Sequence, residues 1–257
     1  MTVLGQSGVM TARRLRALLR QPWYLAVSLG QPIVWLLLFG QLFRRVVQIP
    51  GFGGDSYITF LTPGIVIMNA LFAGTWAGMT LIEEMDAGVL DHFLASPLRP
   101  VALLAGELGY QALVVTVQSL VMIALGLLAG AHLAGGAAGV LVLLLAAALL
   151  ATAVAALSNA LALLLRRGES LIAASQFVAL PATFLASAFM PAGLAPAWIQ
   201  IVERFNPFNW AVMAGREALA AHPAWGTAIT HLGALLALLV VAVTFTLRAF
   251  RDYRRSL

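Results

Sequence analysis

The sequence predicts an all-α polytopic membrane protein. Its parts are six transmembrane helices, an N-terminal amphipathic interfacial helix, a cytoplasmic helix between the second and third spans, and an outer re-entrant helical hairpin before the last span. Three observations predict this. The chain is 61% hydrophobic and only 10% charged, where a soluble domain is near half apolar and about a quarter charged. Its apolar residues gather in six uncharged runs of about the length needed to cross some 30 Å of hydrocarbon. Its charges lie between those runs, and five of its ten acids (Glu83, Glu84, Asp86, Asp91 and Glu107) fall in the single stretch Glu83–Glu107.

Composition also excludes functions. At 257 residues, with little polar sequence, the chain reads as one transmembrane domain over 1–257, with no room for a separate soluble one. The net charge of +5 does not point to nucleic acid, because the arginines sit at the edges of apolar runs. There is no cysteine, hence no disulfide, thiol nucleophile or cysteine metal site. There is no lysine, so a phosphate-binding loop ending in Gly-Lys-Ser/Thr cannot form. If ATP is used, another chain hydrolyses it. Arginine in place of lysine, with heavy Ala, Leu and Gly usage, suggests a GC-rich bacterial genome and so a bacterial cytoplasmic membrane.

The six predicted spans are Trp23–Phe43, Tyr57–Leu81, Leu108–Gly130, Ala138–Leu165, Leu171–Phe189 and Trp225–Leu247. None holds Asp, Glu or Arg. Arg44-Arg45 follows the first long run without a small-residue cleavage pattern, so that run is not a removed leader. With both termini inside, eleven arginines are cytoplasmic: Arg13, Arg14, Arg16, Arg20, Arg99, Arg166, Arg167, Arg248, Arg251, Arg254 and Arg255. Four are outside: Arg44, Arg45, Arg204 and Arg216. The positive-inside rule selects that orientation.

Ahead of the first span, Val9–Arg20 can form an amphipathic helix on the inner leaflet. Val9, Met10, Leu15, Leu18 and Leu19 share a face opposite Arg13, Arg16 and Arg20, which would meet acidic head groups. A frayed basic tail is the alternative. Gly74/Gly78, Gly126/Gly130 and Gly135/Gly139 match the four-residue spacing of closely packed membrane helices, although 23 glycines also produce such matches by chance. Asn69, Gln118, Ser158, Asn159 and Gln176 are polar within spans and should face protein or a wet cavity, chiefly as interhelix hydrogen bonders.

Segment 82–107 is too long for a simple turn. Met85, Val89 and Phe93, with Leu90 and Leu94, recur at i, i+4 and make one apolar stripe of a helix. Ser96-Pro97 ends it, and Pro100 suits the first turn of the helix into the third span. A helix lying on lipid is the alternative, but Glu83, Glu84, Asp86 and Asp91 would be repelled by an anionic leaflet. A protein groove suits them better. In the outer segment 190–224, Pro196 can start a helix with Trp198, Ile201, Val202 and Phe205 on one face. Asn206-Pro207 signals a turn, and Asn209 can cap a second helix carrying Trp210, Met213 and Arg216. Glu203, Arg204, Arg216 and Glu217 should pair or stay wet.

Two motifs carry a family resemblance over nearly the whole chain. The first is Glu83-Glu84, Gly88-Val89-Leu90, Phe93 to Arg99 and Gly106. The second is Pro181, Phe184-Leu185, Ser187, Phe189, Pro191, Leu194, Pro196, Trp198-Ile199, Asn206-Pro207 and Arg216. With them the chain resembles the membrane (permease) subunit of a type-2 ABC exporter, closest to daunorubicin-resistance-like permeases and similar to nodulation-factor exporter permeases. The resemblance implies that Glu83, Glu84, Asp86, Gly88, Leu90, Phe93, Leu94, Ser96, Pro97 and Arg99 form a coupling helix docked on a separate P-loop ATPase. It implies that Pro181, Phe184, Phe189, Pro191, Pro196, Trp198, Asn206, Pro207 and Arg216 form an outer hairpin or gate. It implies a second permease copy, in a homo- or heterodimer, surrounded by membrane lipids. No cofactor is expected in this chain, since ATP and Mg would be bound by the partner subunit. Many relatives are basic around Met85 and Glu107, so this docking surface is the more acidic one. The cargo expected from an uncharged path is an amphipathic drug, lipid or lipid-linked molecule, moved outward.

Other classes fit less well. A stand-alone secondary transporter usually carries acids or charge pairs within its spans, and none occurs here. An intramembrane enzyme would need clustered His or carboxylates, but His92, His132, His222 and His231 are scattered. A nucleophilic serine would need a strained turn, and no Gly-x-Ser-x-Gly occurs. No catalytic residue and no metal ligand is therefore expected.

Overall fold

A computed structural model describes residues 3–20, 23–52, 56–90 and 100–255. Among these the chain is helical throughout, without strands. Helix α1 is Val3–Arg20 and α2 is Trp23–Leu42. Helices α3 (Tyr57–Asp86), α4 (Pro100–Leu128) and α5 (Gly136–Leu165) follow, then α6 (Gly168–Phe184). The short α7 (Ala197–Glu203) and α8 (Pro207–Leu219) lead to α9 (Trp225–Arg255). Helices α3, α4, α5 and α9 are long and apolar enough to cross a membrane. The 30 residues of α3 span about 45 Å. Helices α2 and α6 are shorter, at 20 and 17 residues, and the apolar stretch of α2 is Ala26–Leu42. Exposed Leu113, Val117, Leu120, Leu141, Val240 and Val241 stud the outside of the bundle, as a lipid-facing surface requires.

Helix α5 is the centre of the bundle, packed against α3, α4, α8 and α9. Its sequence explains why. Ala146, Ala147, Ala151, Ala153, Ala155, Ala156, Ala160 and Ala162 are all buried, so neighbours on several sides reach nearly to its backbone. Between lipid-bathed helices there is little hydrophobic driving force, and close packing with interhelix hydrogen bonds must hold them. Gly74 and Gly78 of α3 lie on this surface. A Cβ at Gly74 would stand 2.5 Å from the Ala151 carbonyl oxygen, and one at Gly78 would stand 2.5 Å from that of Ser158. The Ser158 hydroxyl donates to Thr75 O at 2.7 Å and accepts from Gly78 N at 3.1 Å. On the far side of α5, Thr246 Oγ1 of α9 donates to Ala156 O at 2.7 Å.

The other expected contacts divide. Gly135 and Gly139 both lie against the Ala218 carbonyl in α8, and Gly126 faces Thr62 of α3. Gly130 touches nothing and takes φ +95°, a turn glycine rather than a contact. Asn69 Nδ2 donates to Gln118 Oε1 at 3.0 Å, and Gln118 Nε2 donates to Ser28 Oγ at 2.9 Å. This polar chain ties α3, α4 and α2.

Three expectations are corrected. The N-terminal helix begins at Val3 rather than Val9, and its arginines do not all turn to head groups. Ser7, Met10, Thr11 and Arg14, at i, i+3, i+4 and i+7, form the face turned to α4. There Gly106 and Gly109 admit Met10 and Thr11, and Thr11 Oγ1 donates to Gly106 O at 3.0 Å. The apolar stripe beginning at Met85 does not lie on one helix. Helix α3 ends at Asp86, and Gly88 takes φ +69° with its N–H bonded to Met85 O at 2.9 Å. That is a left-handed glycine just past the C-cap. Helical geometry resumes at Val89 and Leu90. Finally, α6 stops at Phe184 rather than Phe189. Its last carbonyls, those of Ala182 and Leu185, are taken by Asn206 Nδ2 at 2.7 and 3.0 Å, which replaces the bonds a further helical turn would supply.

Gly78→Ala should lower stability by about 1–3 kcal/mol, because its methyl meets backbone oxygen rather than a movable side chain. Gly233→Ala in α9, with open space at its Cβ, should be neutral or stabilising by about 1 kcal/mol. Thermal unfolding in one detergent reads both. Ser158→Ala should cost roughly 0.6 kcal/mol, the common worth of an interhelix hydrogen bond in membranes.

Candidate functional site

Two groups of expected site residues lie at opposite ends of the bundle. At one end α3 runs out at Asp86 and α4 begins at Pro100. Glu83, Asp86 and Gly88 are exposed there, and a side chain at Gly88 would meet open space. Leu90 is fully buried with Leu81, Ile82, Leu104 and Phe250, so it anchors the turn and presents nothing outward. Phe93, Leu94, Ser96, Pro97 and Arg99 lie outside the described residues.

Glu84 is engaged within the chain. Its Oε1 accepts from Arg13 Nη2 at 2.7 Å and its Oε2 pairs with Arg14 Nη2 at 3.1 Å. Arg14 Nε pairs in turn with Glu107 Oε2 at 3.0 Å. Glu84 and Glu107 keep only 13% and 15% of their side-chain exposure. Exposed ion pairs contribute little, but these are half-withdrawn, charge-assisted and networked. Glu84 precedes the turn and Glu107 follows it, so α1 bridges the two ends of the connecting segment. Among the described residues of this surface, Glu83 and Asp86 are the exposed acids, while Glu84 is paired. The sequence reading missed Arg13, Arg14 and Thr11 as parts of this end. The signal was present in Gly106 and Gly109 opposite the Ser7, Met10, Thr11 and Arg14 face.

At the other end, the segment 185–190 is held from three sides. Asn206, not Asn209, caps α8: its Oδ1 accepts from Phe208 N at 3.0 Å, with Pro207 following in the first helical turn. Its Nδ2 bonds to Ala182 and Leu185, so one amide closes the end of α6 and the start of α8. Asn209 turns inward. Its Oδ1 accepts from Ser187 N and Oγ at 3.0 and 2.7 Å, and its Nδ2 donates to Glu203 O at 3.2 Å. Arg216 pairs with no carboxylate among the described residues. It donates from Nη1 to Ser187 O at 2.9 Å and from Nη2 to Phe60 O at 3.3 Å, and its Cζ stands 3.8 Å from the centre of the Phe60 ring. That is a cation–π contact within a hydrogen-bonded lock. Burial pushes the Glu203 carboxyl of α7 above its ordinary value, against the pull of Arg204 and Arg216.

Phe189 stacks on Phe184 at 6.1 Å and meets Trp35 and Phe39 of α2 at 6.0 and 5.8 Å. Tyr57 Oη donates to Phe189 O at 3.1 Å. The Ala188 backbone lies against Gly64, about 10 Å along α3 from Tyr57. Pro181 sits in the last turn of α6, Pro191 precedes a 3-10 turn, and Pro196 caps α7. Trp198, Ile201 and Phe205 are 58%, 60% and 76% exposed, an apolar rim without a partner among the described residues. Sequence reading missed Ser187 and Asn209 as partners, and Tyr57 and Phe60 as the opposing wall. Their contacts span 22 to 156 positions, and no local pattern signals them. Among the described residues, no three His, Cys, Asp or Glu side chains gather as a metal site.

Comparison with known proteins fits this architecture. Residues 5–220 match the ABC-2 type transporter family. The chain is 27% identical over 221 residues to the daunorubicin resistance ABC transporter permease protein DrrB1 of Streptomyces coeruleorubidus, covering 86% of this chain and 77% of that one. It is 28% identical over 218 residues to ycf38 of Cyanophora paradoxa, named as a transport permease, covering 84% and 74%. The ycf38 protein of Porphyra purpurea is 26% identical over 194 residues, covering 75% and 66%. The match over residues 5–220, in a helical bundle with several helices of membrane-crossing length, places this chain in the ABC-2 type transporter family as the non-catalytic membrane subunit, with ATP hydrolysed by a partner ATPase.

Proposed function

We propose that the chain is the permease half of an ATP-driven exporter in a bacterial cytoplasmic membrane. It crosses six times with both termini inside, with α2 and α6 supplying the two shorter crossings. It works as one of a homo- or heteromeric pair. Segment 82–107 docks on a P-loop ATPase, which binds ATP and Mg. The cargo is an amphipathic drug, a lipid or a lipid-linked molecule. The observation that carries this reading is the position of the docking turn. It joins two of the longest helices, α3 and α4, at one end of the bundle, with Glu83, Asp86 and Gly88 turned outward. Displacement of the turn moves both helices as rigid bodies, and α3 carries the motion along its packed seam with α5. This is coupling through a two-state packed element. At the far end, the 185–190 segment and the Arg216 lock are where an outer gate would open, because they join α6, α8 and α3. A stand-alone secondary transporter has no observation in its favour here.

Phe93→Asp or Leu94→Asp would bury an unpaired carboxylate in the partner groove at a cost of several kcal/mol. ATPase-dependent efflux should fall by about an order of magnitude or more, and the ATPase should no longer co-purify. Undiminished efflux with normal membrane insertion would sink the coupling assignment. Sidedness has its own test, because the chain contains no cysteine. An impermeant maleimide should label Trp198→Cys in intact cells and Asp86→Cys only in inverted vesicles; the reverse pattern refutes the orientation. Arg216→Ala removes two charge-assisted hydrogen bonds and the ring contact, and should cost about 2–4 kcal/mol, read as a lower unfolding temperature.

A further inference from the structure

One cavity remains outside this account. It lies where α1 meets the ends of α3, α4, α5 and α9, and measures about 450 Å³ out to its open mouth. About 30 Å³ of it is open to the centre of a water-sized group. Leu81, Leu103, Leu104, Phe250 and Met10 form its apolar walls, and Arg13, Arg14, Glu84 and Glu107 its polar ones. Asn159 of α5 also lines it. This side chain is 3% exposed, and its Oδ1 has no hydrogen-bond partner among the described residues. A buried carbonyl without a donor costs free energy until one arrives.

The missing partner is a donor, not an acceptor. Arg13 and Arg14 bind Glu84 and Glu107. The four charges therefore cancel, and no surplus cation awaits a phosphate inside. Glu107 pairs with Arg14 through Oε2, and its carboxylate lines the same recess as Asn159. A recess lined by two carboxylates and the Asn159 carbonyl, walled by leucine and phenylalanine and open on one side, suits a primary ammonium whose apolar chain leaves along those walls. Its three N–H donors suit two or three convergent oxygens.

We propose that this cavity binds the primary ammonium of an amphiphile, seated on Asn159 Oδ1 and Glu107, with its chain along Leu81, Leu103 and Phe250. An aminophospholipid of the surrounding leaflet and a single-chain amine share this chemistry. The site stands on the fold alone and does not depend on ATPase docking.

The test uses the full chain, delipidated in detergent, with phosphatidylethanolamine, phosphatidylcholine or N-acetylated phosphatidylethanolamine added in mixed micelles. Native mass spectrometry and the unfolding midpoint are read together. Phosphatidylethanolamine should be retained and should raise the midpoint. The other two lipids lack donor ammonium hydrogens and should bind about tenfold more weakly or worse, as expected for a lost charge-assisted contact. Asn159→Leu keeps the volume but removes the acceptor, and should abolish the preference. Dodecylamine that displaces phosphatidylethanolamine marks a site for any amine amphiphile; dodecylamine that fails to displace it marks a lipid site, and either supports the proposal. Equal retention of the three lipids by the unmodified chain, or an unchanged preference in Asn159→Leu, overturns it and leaves the recess to ordered water. The unmodified-chain comparison decides the question even if the variant does not fold.

Discussion

The near-backbone approach of α3 to α5 is the constraint on which the bundle depends. At Gly74 and Gly78 the backbone of α3 comes close enough to α5 that an added Cβ would meet the carbonyl oxygens of Ala151 and Ser158. Ser158 closes the gap by donating to one helical carbonyl and accepting from one amide. In water this seam would be one contribution among many, next to the burial of leucines. In lipid the leucines gain little by touching each other, so dispersion at short range and a few hydrogen bonds carry the association. The alanine-rich α5 extends the same solution to α8 and α9, so one small-sided helix organises the molecule.

Charge is handled by the same economy. Arg13, Arg14, Arg166 and Arg216 lie at the ends of the bundle, and each is engaged differently. Arg13 and Arg14 take carboxylates from the end of α3 and the start of α4. Arg216 takes carbonyls and a ring face. Arg166 caps α5 in a left-handed conformation and lies 4.7 Å over the Tyr253 ring. In each case the charge locks one element to another, α1 to α3 and α4, α8 to the 185–190 segment, and α5 to α9.

Much of this was legible in residues. Uncharged runs marked the long helices, Pro100 and Pro196 marked helix starts, and Asn206-Pro207 marked the turn into α8. The glycine pairs at 74/78 and 135/139 marked real approaches, while the pair at 126/130 split into a contact and a turn. Other readings failed for identifiable reasons. The i, i+4 stripe from Met85 suggested one helix because periodicity ignores Gly88, whose left-handed φ ends α3 first. Apolar content carried the predicted fifth span to Phe189, although Asn206 takes the carbonyls that would have continued α6. Asn209 looked like a cap by position and is a partner of Ser187 by contact.

By itself the sequence determined that this is a membrane bundle without a lysine-bearing nucleotide loop and without cysteine. These depend on composition and on runs of about 20 residues, which the bilayer thickness converts directly into helices. Only the tertiary structure decided that Glu84 and Glu107 are paired while Glu83 stays exposed, and that α1 bridges the end of α3 and the start of α4. It alone decided that the hairpin is locked through Ser187, Asn209 and Arg216. Those contacts join residues 22 to 156 positions apart, and their partners are chosen by which helices approach closely. That choice belongs to glycine and alanine surfaces in three dimensions, and the chain's local pattern does not carry it.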